Sequence, residues 1–181
     1  LAEQGDMEKI KKYLSATTGK ISDYNLHFCE NQAVDSVFGY YSTLAKRENI
    51  PFHALVSLPT DFSIDEINLC LVFSNLLENA IVHSGSILPI DFIVEDHPEH
   101  VSFIVRDYGK GLSEEKLQNL FETGTYNNSR SSDSRKGMGI GLSICKTIIT
   151  AHHGTLSGRN HADGAEFCFT LPKVGAVASE K

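Results

Sequence analysis

Polar side chains recur at helical spacing between residues 75 and 83. Asn75, Asn79 and His83 are four residues apart, so a helix places them on one face, with Glu78 next to Asn79. An asparagine oxygen suits a hard cation such as Mg²⁺, which takes few protein ligands and otherwise keeps water and phosphate oxygens. Taken alone, the segment is explained more often by asparagines on a solvated helix face.

Two glycines follow an aspartate directly after a predicted strand. Gly109 and Gly111 allow the backbone to turn sharply and to approach a flat ligand closely. The Asp107 carboxylate can accept a hydrogen bond from an exocyclic amine such as that of adenine. A plain glycine turn with a capping aspartate explains the same residues at least as well.

Alternating glycines open another predicted helix. The segment consists of Lys136, Gly137, Met138, Gly139, Ile140, Gly141 and Leu142. Glycines at alternate positions expose backbone N–H groups, and the helix N-terminus adds partial positive charge, so the segment predicts a phosphate cradle. Its spacing matches neither the dinucleotide-binding fingerprint nor the P-loop.

The elements that must position these segments mix helices and strands without strict β-α-β alternation. Hydrophobic periodicity predicts helices over residues 34–46, 64–83, 114–121 and 142–153. It predicts strands over residues 50–58, 90–95, 101–107, 155–158 and 165–171. Residues 123–136 are predicted to form a mobile loop and residues 175–181 a frayed tail. This order favours an α+β two-layer sandwich, with helices over one face of a mixed, mainly antiparallel sheet.

An apolar seam precedes these elements. It is formed by Met7, Ile10, Leu14, Thr17, Ile21 and Tyr24. Spacings of three and four predict a helix that pairs with another helix. An amphipathic helix packed on its own domain is the alternative.

Composition limits the function classes. The chain has 181 residues and a formal net charge of -7, without a cluster of Lys and Arg, which argues against a nucleic-acid partner. No apolar run approaches the roughly 18 residues of a membrane span, and no signal peptide is present. We expect a cytoplasmic domain excised from a longer protein, whose membrane anchorage is left open. The cysteines, expected to be reduced and buried, are Cys29, Cys70, Cys145 and Cys168.

The three segments, in this order, resemble the N, G1 and G2 boxes of the ATP-binding superfamily of gyrase, heat-shock chaperones, mismatch-repair proteins and histidine kinases. The resemblance covers residues 64–171 and implies the Bergerat ATP-binding fold with Mg²⁺ and ATP as ligands. It implies that Asn79 holds the metal and that Asp107 binds the adenine amine. The other implied nucleotide-binding residues are His83, Gly109, Gly111, Lys136, Gly137, Gly139, Gly141 and Leu142. Residues 123–136 would form a lid, and Phe121 and Glu122 resemble the start of the kinase F box, although Gly124 departs from it.

The kinase branch of this superfamily fits best. Gyrase-like and chaperone members carry a glutamate that activates water at the first N-box position, and this chain has Asn75 there. The implied catalytic residues are Asn75, Glu78 and Asn79, although Glu78 lies at a different helical angle from Asn75. Without the base, the γ-phosphoryl group can persist for a protein acceptor.

Residues 1–14, 29–50 and 57–59 resemble sensor kinases that signal to response regulators of the LytTR type. The resemblance implies that residues 1–30 end a helical dimerisation region, that residues 31–174 bind ATP and that residues 175–181 are a tail. The acceptor histidine would precede Gly5, on a helix acting in cis or in a homodimer partner. The eight histidines of this chain include no kinase-like acceptor.

One departure leaves alternatives open. Kinases often carry Lys or Arg where this chain has Val82, with His83, Lys110, Arg130 or Lys136 as possible substitutes. Val82 and the apolar seam together favour, as the alternative to the kinase, a non-catalytic nucleotide-sensing or dimerisation module. A hydrolytic ATPase using Glu78 is a third, less favoured interpretation. Zinc binding by His152, His153 and His161 is less favoured than a cap at a helix C-terminus.

Overall fold

The computed structural model describes residues 27–61, 64–85, 87–121, 140–161 and 164–175. The helices are α1 (Gln32–Arg47), α2 (Glu66–Ser84), α3 (Glu114–Gln118) and α4 (Gly141–Ala151). The strands are β1 (Phe52–Ala54), β2 (Ile90–Asp96), β3 (His100–Arg106), β4 (Thr155–His161) and β5 (Gly164–Pro172).

One five-stranded sheet has the strand order β1-β2-β3-β5-β4. The edge strand β1 is parallel to β2, and every other pairing is antiparallel. Successive residues of a strand alternate between the two faces, so one face of β3 and β5 presents Val101, Phe103, Phe167 and Phe169 to the core. The mixed, mainly antiparallel sheet of the sequence prediction is confirmed.

The helices pack on that single face. The Phe73 ring of α2 contacts the rings of Phe92, Phe103 and Phe169, one from each of three strands, with centroids 5.2 to 5.9 Å apart. Phe38 of α1 joins the same group through Phe73 at 5.5 Å. Aromatic pairs of this geometry add to the burial of apolar area. The cluster fixes α2 over the middle of the sheet, which orients its polar side.

Side chains and glycine set the ends of the two long helices. Asn31 caps α1 by accepting a hydrogen bond from the Val34 amide at 2.9 Å, and Asp65 caps α2 through the Asn68 amide at 2.9 Å. Gly85 ends α2 in the left-handed conformation with φ 53°. The helix thus runs the full length of the predicted polar ridge and stops directly after it.

Several predicted boundaries were wrong. The strand predicted over residues 50–58 pairs only at Phe52–Ala54, because the chain then leaves the sheet with Leu55 85% exposed. The helix predicted to reach residue 121 ends at Gln118, and β4 continues past Gly158 to His161 because it pairs with β5 along its whole length. The apolar seam of residues 1–26, the predicted loop and most of the predicted tail lie outside the described residues.

The four cysteines are free, two of them buried and two half-buried. Burial raises the pKa of the Cys145 thiol to about 12, so this group stays protonated and acts as an apolar core residue. Over the described ranges, none of the helices has both the length and the apolar character that crossing a bilayer requires.

Candidate functional site

The turn after β3 holds a buried carboxyl group. Asp107 is 3% exposed, and its Oδ1 accepts hydrogen bonds from the backbone amides of Gly109 at 2.9 Å and Ala165 at 3.4 Å. Burial raises the pKa of Asp107, against the opposing effect of the two amides and of His83. The backbone therefore fixes a carboxyl group where water is scarce, and such a group suits a hydrogen-bond donor of a ligand.

The same turn packs against the C-terminal end of α2. A Cβ atom at Gly109 would lie 2.6 Å from the carbonyl oxygens of both His83 and Ser84. Any side chain at this position would push the turn away from the helix, so glycine is required here. This contact joins the second sequence segment to the end of the first.

Asn160 and Gly164 complete the turn, and sequence reasoning missed both of them. Gly111 has a left-handed φ of +68°, and the Asn160 carboxamide of β4 lies against it, with Oδ1 2.8 Å from the position of an added Cβ. Gly164 lets β5 approach Asp107, because a Cβ there would lie 1.9 Å from the Asp107 carbonyl oxygen. Gly164 begins the last strand, but no spacing rule connected it, or Asn160, to residues some 50 positions away.

The start of α4 meets the start of the polar ridge. A Cβ at Gly141 would lie 2.6 Å from Asn75 Oδ1, so the carboxamide packs directly on the glycine. Asn75 also donates through Nδ2 to the Leu71 carbonyl oxygen at 2.9 Å. Ile140 provides no side-chain cap to α4, and the first turn of α4 has no acidic residue. The N-terminal amides of this helix can therefore serve an anionic ligand.

The remaining N-terminal candidates lie along α2. Asn79 is half-buried one turn after Asn75, and His83 is exposed one turn further on. Glu78 is exposed. Burial raises the pKa of Tyr41 on α1, and the charge of Glu78 adds to this effect.

Residues 64–175 match the family described as histidine kinase-, DNA gyrase B- and HSP90-like ATPases. The chain belongs to this family. The matched range contains all three segments that could carry chemistry.

Named relatives of this ATPase domain are sensor kinases. Sensor protein KdpD of Clostridium acetobutylicum is 40% identical over 122 residues, which are 65% of this chain and 14% of that protein. Sensor histidine kinase YvrG of Bacillus subtilis is 38% identical over 96 residues, 53% of this chain and 16% of that protein. The chain thus spans only a small part of the length of these relatives.

A solved catalytic domain has the same fold. The catalytic domain of histidine kinase ThkA matches with a TM-score of 0.65 and 27% identity, covering 80% of this chain and 94% of that one. The α+β Bergerat fold predicted from the resemblance is therefore confirmed, and the domain is of the histidine kinase catalytic type, with ATP as the ligand of its family.

The structure brings together part of the predicted site. Asn75, in the middle of α2, meets Gly141, which precedes the buried Leu142, and Gly109 of the turn that carries Asp107 meets the C-terminal end of α2. Lys136, Gly137 and Gly139 lie outside the described residues, as does the predicted lid. Their roles stay predictions.

The sequence raises two metals, Mg²⁺ and zinc, as candidates. Asn79 offers one half-buried carboxamide oxygen on the ridge, a donor that fits Mg²⁺ because this ion needs few protein ligands. For zinc, the described part of the chain contains no group of three His, Cys, Asp or Glu side chains that could hold an ion. His152 instead lies 3.9 Å from Asp65 at the base of α2.

Proposed function

We propose that this domain binds Mg-ATP and transfers the γ-phosphoryl group to a histidine of a dimerisation helix, in cis or in a homodimer partner. The acceptor nitrogen would take the phosphoryl group, and ADP would leave. The observation that carries the proposal is the buried Asp107 carboxyl group, which two backbone amides hold beside the end of the polar ridge.

The distance along helix α2 between its contacts with Gly141 and Gly109 sets the length of the site. Gly141 contacts the helix at Asn75 and Gly109 contacts it at Ser84. These two positions are nine residues apart, which is about 13 Å along a helix. A base held at Asp107 would therefore place an extended triphosphate along the ridge and toward the amides of α4, past Asn79.

The chemistry that these residues support is positioning. Mg²⁺, held by Asn79, would supply charge neutralisation on the phosphates when it is bound. Asn75 cannot accept a proton from water, which favours a protein acceptor over hydrolysis. Phosphoryl transfer requires mainly placement and charge stabilisation from the protein.

The adenine assignment is tested by Asp107→Asn. We expect the dissociation constant for Mg-ATP to rise at least tenfold, about 1.4 kcal/mol, because the amide cannot accept from the adenine amine with the strength of a carboxylate. Isothermal calorimetry measures this. Asp96→Asn is the matched control, because it removes the same charge from an exposed carboxylate that pairs with Lys173 at 2.6 Å. Unchanged affinity in the Asp107 variant would refute the adenine site.

Val82 favours a second candidate, a nucleotide-sensing or dimerisation module without transfer. Its side chain is 39% exposed at a position where kinases often carry a cation. A separately made helical domain that bears the acceptor histidine, mixed with this chain and γ-labelled ATP, separates the candidates. Label on histidine supports the kinase, and ATP binding without label supports the module. Rapid turnover by the chain alone, abolished by Glu78→Ala, would favour a hydrolytic ATPase.

The partner that we propose is a response regulator, of the LytTR type, on the cytoplasmic side of the cell. The support is the resemblance of residues 1–14, 29–50 and 57–59 to kinases of that group. Transfer from the labelled histidine domain to a purified receiver of a LytTR-type regulator, compared with a receiver of another type, tests it. Equal transfer rates to both receivers would argue against this pairing.

A further inference from the structure

A carboxamide on the edge strand β4 is bonded to the turn that carries Asp107. Asn160 Oδ1 accepts a hydrogen bond from the Leu112 amide at 2.7 Å, and Asn160 Nδ2 donates to the Leu112 carbonyl oxygen at 2.9 Å. One side chain thus satisfies both backbone polar groups of one residue, as a neighbouring strand would. Sequence reasoning assigned neither Asn160 nor Leu112 to the site.

The Asn160 carboxamide also fits the shape of the turn. Oδ1 and Cγ would lie 2.8 and 3.2 Å from a Cβ at Gly111, so the amide group rests on the bare Cα of a left-handed residue. The regular pairing of β3 with β5 ends at Arg106 and Glu166. The Asp107 amide still donates to the Ala165 carbonyl oxygen at 2.9 Å, and further along the turn the side chain of Asn160 holds the backbone at Leu112.

The turn is therefore fixed at both ends. Asp107 holds the Gly109 amide at its start, and Asn160 holds Leu112 at its end. We infer that Asn160 is a positioning residue for adenine binding: it keeps residues 107–112 in the binding conformation without itself contacting the reacting phosphates. This inference rests on the proposed function, because it concerns the same nucleotide site.

The expected effect is a loss of affinity rather than of folding. Asn160 is exposed, and hydrogen bonds between exposed neutral groups contribute little net stability. A turn that must become ordered on binding lowers affinity, since the ordering then accompanies the binding step. Asn160→Ala should raise the dissociation constants for Mg-ATP and for adenosine alone by about the same factor, between fivefold and tenfold. Asn160→Asp keeps the acceptor for the Leu112 amide but not the donor, so it should give an intermediate value.

The control variant is Thr155→Ala at the opposite end of the same strand. Thr155 Oγ1 shares a hydrogen bond with Thr170 Oγ1 at 2.8 Å, so this change also removes a side-chain bond of β4. We expect its ATP affinity to stay within twofold of the wild type. Amide hydrogen exchange gives a second readout without nucleotide: the Leu112 amide should exchange faster in Asn160→Ala and not in Thr155→Ala.

The outcomes are distinct. Faster Leu112 exchange with parallel losses of ATP and adenosine affinity in Asn160→Ala supports the inference. Unchanged affinity in this variant, an equal loss in Thr155→Ala, or a loss for ATP with none for adenosine overturns it while ATP binding by the wild type stands. A wild type that does not bind ATP overturns the proposed function, and the role of Asn160 in nucleotide binding with it.

Discussion

At the scale of single residues, the properties that suit Asp107 to a ligand oppose folding. Burial raises the pKa of this carboxyl group, so the ionised form is less favoured in the folded chain than in the unfolded chain. For an acid with a raised folded pKa, the contribution to stability is fully present below the unfolded pKa and is lost as the pH rises through the folded pKa. At neutral pH, Asp107 therefore lowers the free energy of unfolding.

Because ionised Asp107 lowers the free energy of unfolding, we expect Asp107→Asn to be more stable than the wild type. The amide oxygen can still accept the hydrogen bonds from Gly109 and Ala165, while the desolvated charge is gone. We expect the free energy of unfolding at pH 7 to rise on the order of 1 kcal/mol, with the difference from the wild type shrinking toward pH 4. Urea unfolding at both pH values measures it. A variant less stable than the wild type at pH 7 would contradict this account of the carboxyl group.

Sequence alone identified the residues whose neighbours are close in the chain. Asp107, Gly109 and Gly111 form a local pattern, and helical periodicity placed Asn75, Asn79 and His83 on one ridge. Asn160 and Gly164 were missed because their roles come from contacts across 48 or more positions, with Leu112 and with the Asp107 carbonyl. Spacing rules describe repeats within one element, and they cannot state which side chain of a distant strand meets a turn.

At the scale of elements, α2 is the part of the fold that connects the two halves of the site. The start of α4 packs against it at Asn75, and the turn after β3 packs against its end at Ser84. The helix was predicted well because its apolar stripe is long, whereas the edge strand β1 was overextended. Strand β1 pairs only with Ile90 to Phe92, although β2 continues to Asp96, and the sequence of the edge strand alone carries no information on where that pairing stops.

The contact between α4 and α2 predicts that the effects of substitutions at Gly141 and Asn75 on stability are coupled. Gly141→Ala places a Cβ 2.6 Å from Asn75 Oδ1 and 3.3 Å from its Cγ, so the helices must separate or the amide must move. We expect the free energy of unfolding to fall by about 1 kcal/mol and ATP affinity to fall with it. In the Asn75→Ala background both clashing atoms are absent and the nearest remaining atom, Asn75 Cβ, is 3.7 Å away.

A double-mutant cycle by urea unfolding measures this coupling. Adding Gly141→Ala to Asn75→Ala should change the stability by less than about 0.5 kcal/mol, apart from the small gain in helix propensity. Additive losses in the double variant would mean that the clash lies elsewhere. The cycle also separates packing from binding. Compared with Gly141→Ala alone, the double variant should not carry the packing penalty, although the contact of Asn75 with α4 is absent from it.

At the scale of the whole molecule, a row of alternately basic and acidic side chains crosses the sheet on the face away from the helices. The register pairs His53 with Asp91, Asp91 with Arg106, Arg106 with Glu166, and Glu166 with Arg159, which spans all five strands. Glu166 is the centre of the row, because its Oε2 accepts from Arg106 Nε and its Oε1 accepts from Arg159 Nε at 2.7 Å. The row holds β3 at the residue before Asp107, so it stabilises the sheet at the place where the nucleotide turn leaves it.

The Glu166 carboxylate makes this row sensitive to acid. Burial alone would raise its pKa, but the hydrogen bonds and charges of the two guanidinium groups outweigh burial and lower the pKa below its ordinary value of 4.5. For an acid with a lowered folded pKa, the stabilisation is present above the unfolded pKa and is lost as the pH falls through the folded pKa. The wild type should therefore lose this contribution as the pH falls below the ordinary value of 4.5.

Glu166→Gln tests the row as a unit. The variant keeps the shape of the side chain, which is 4% exposed, but removes the carboxylate that Arg106 and Arg159 share. We expect the free energy of unfolding at pH 7 to fall by about 2 kcal/mol, and the acid loss of stability to be shallower than in the wild type, so that the two curves converge at low pH. The control is Glu95→Gln on the same sheet face, where the carboxylate is 52% exposed. Its curve should stay within about 0.5 kcal/mol of the wild type. Parallel curves for Glu166→Gln and the wild type down to acid pH would show that the buried carboxylate is not the group that links this sheet to pH.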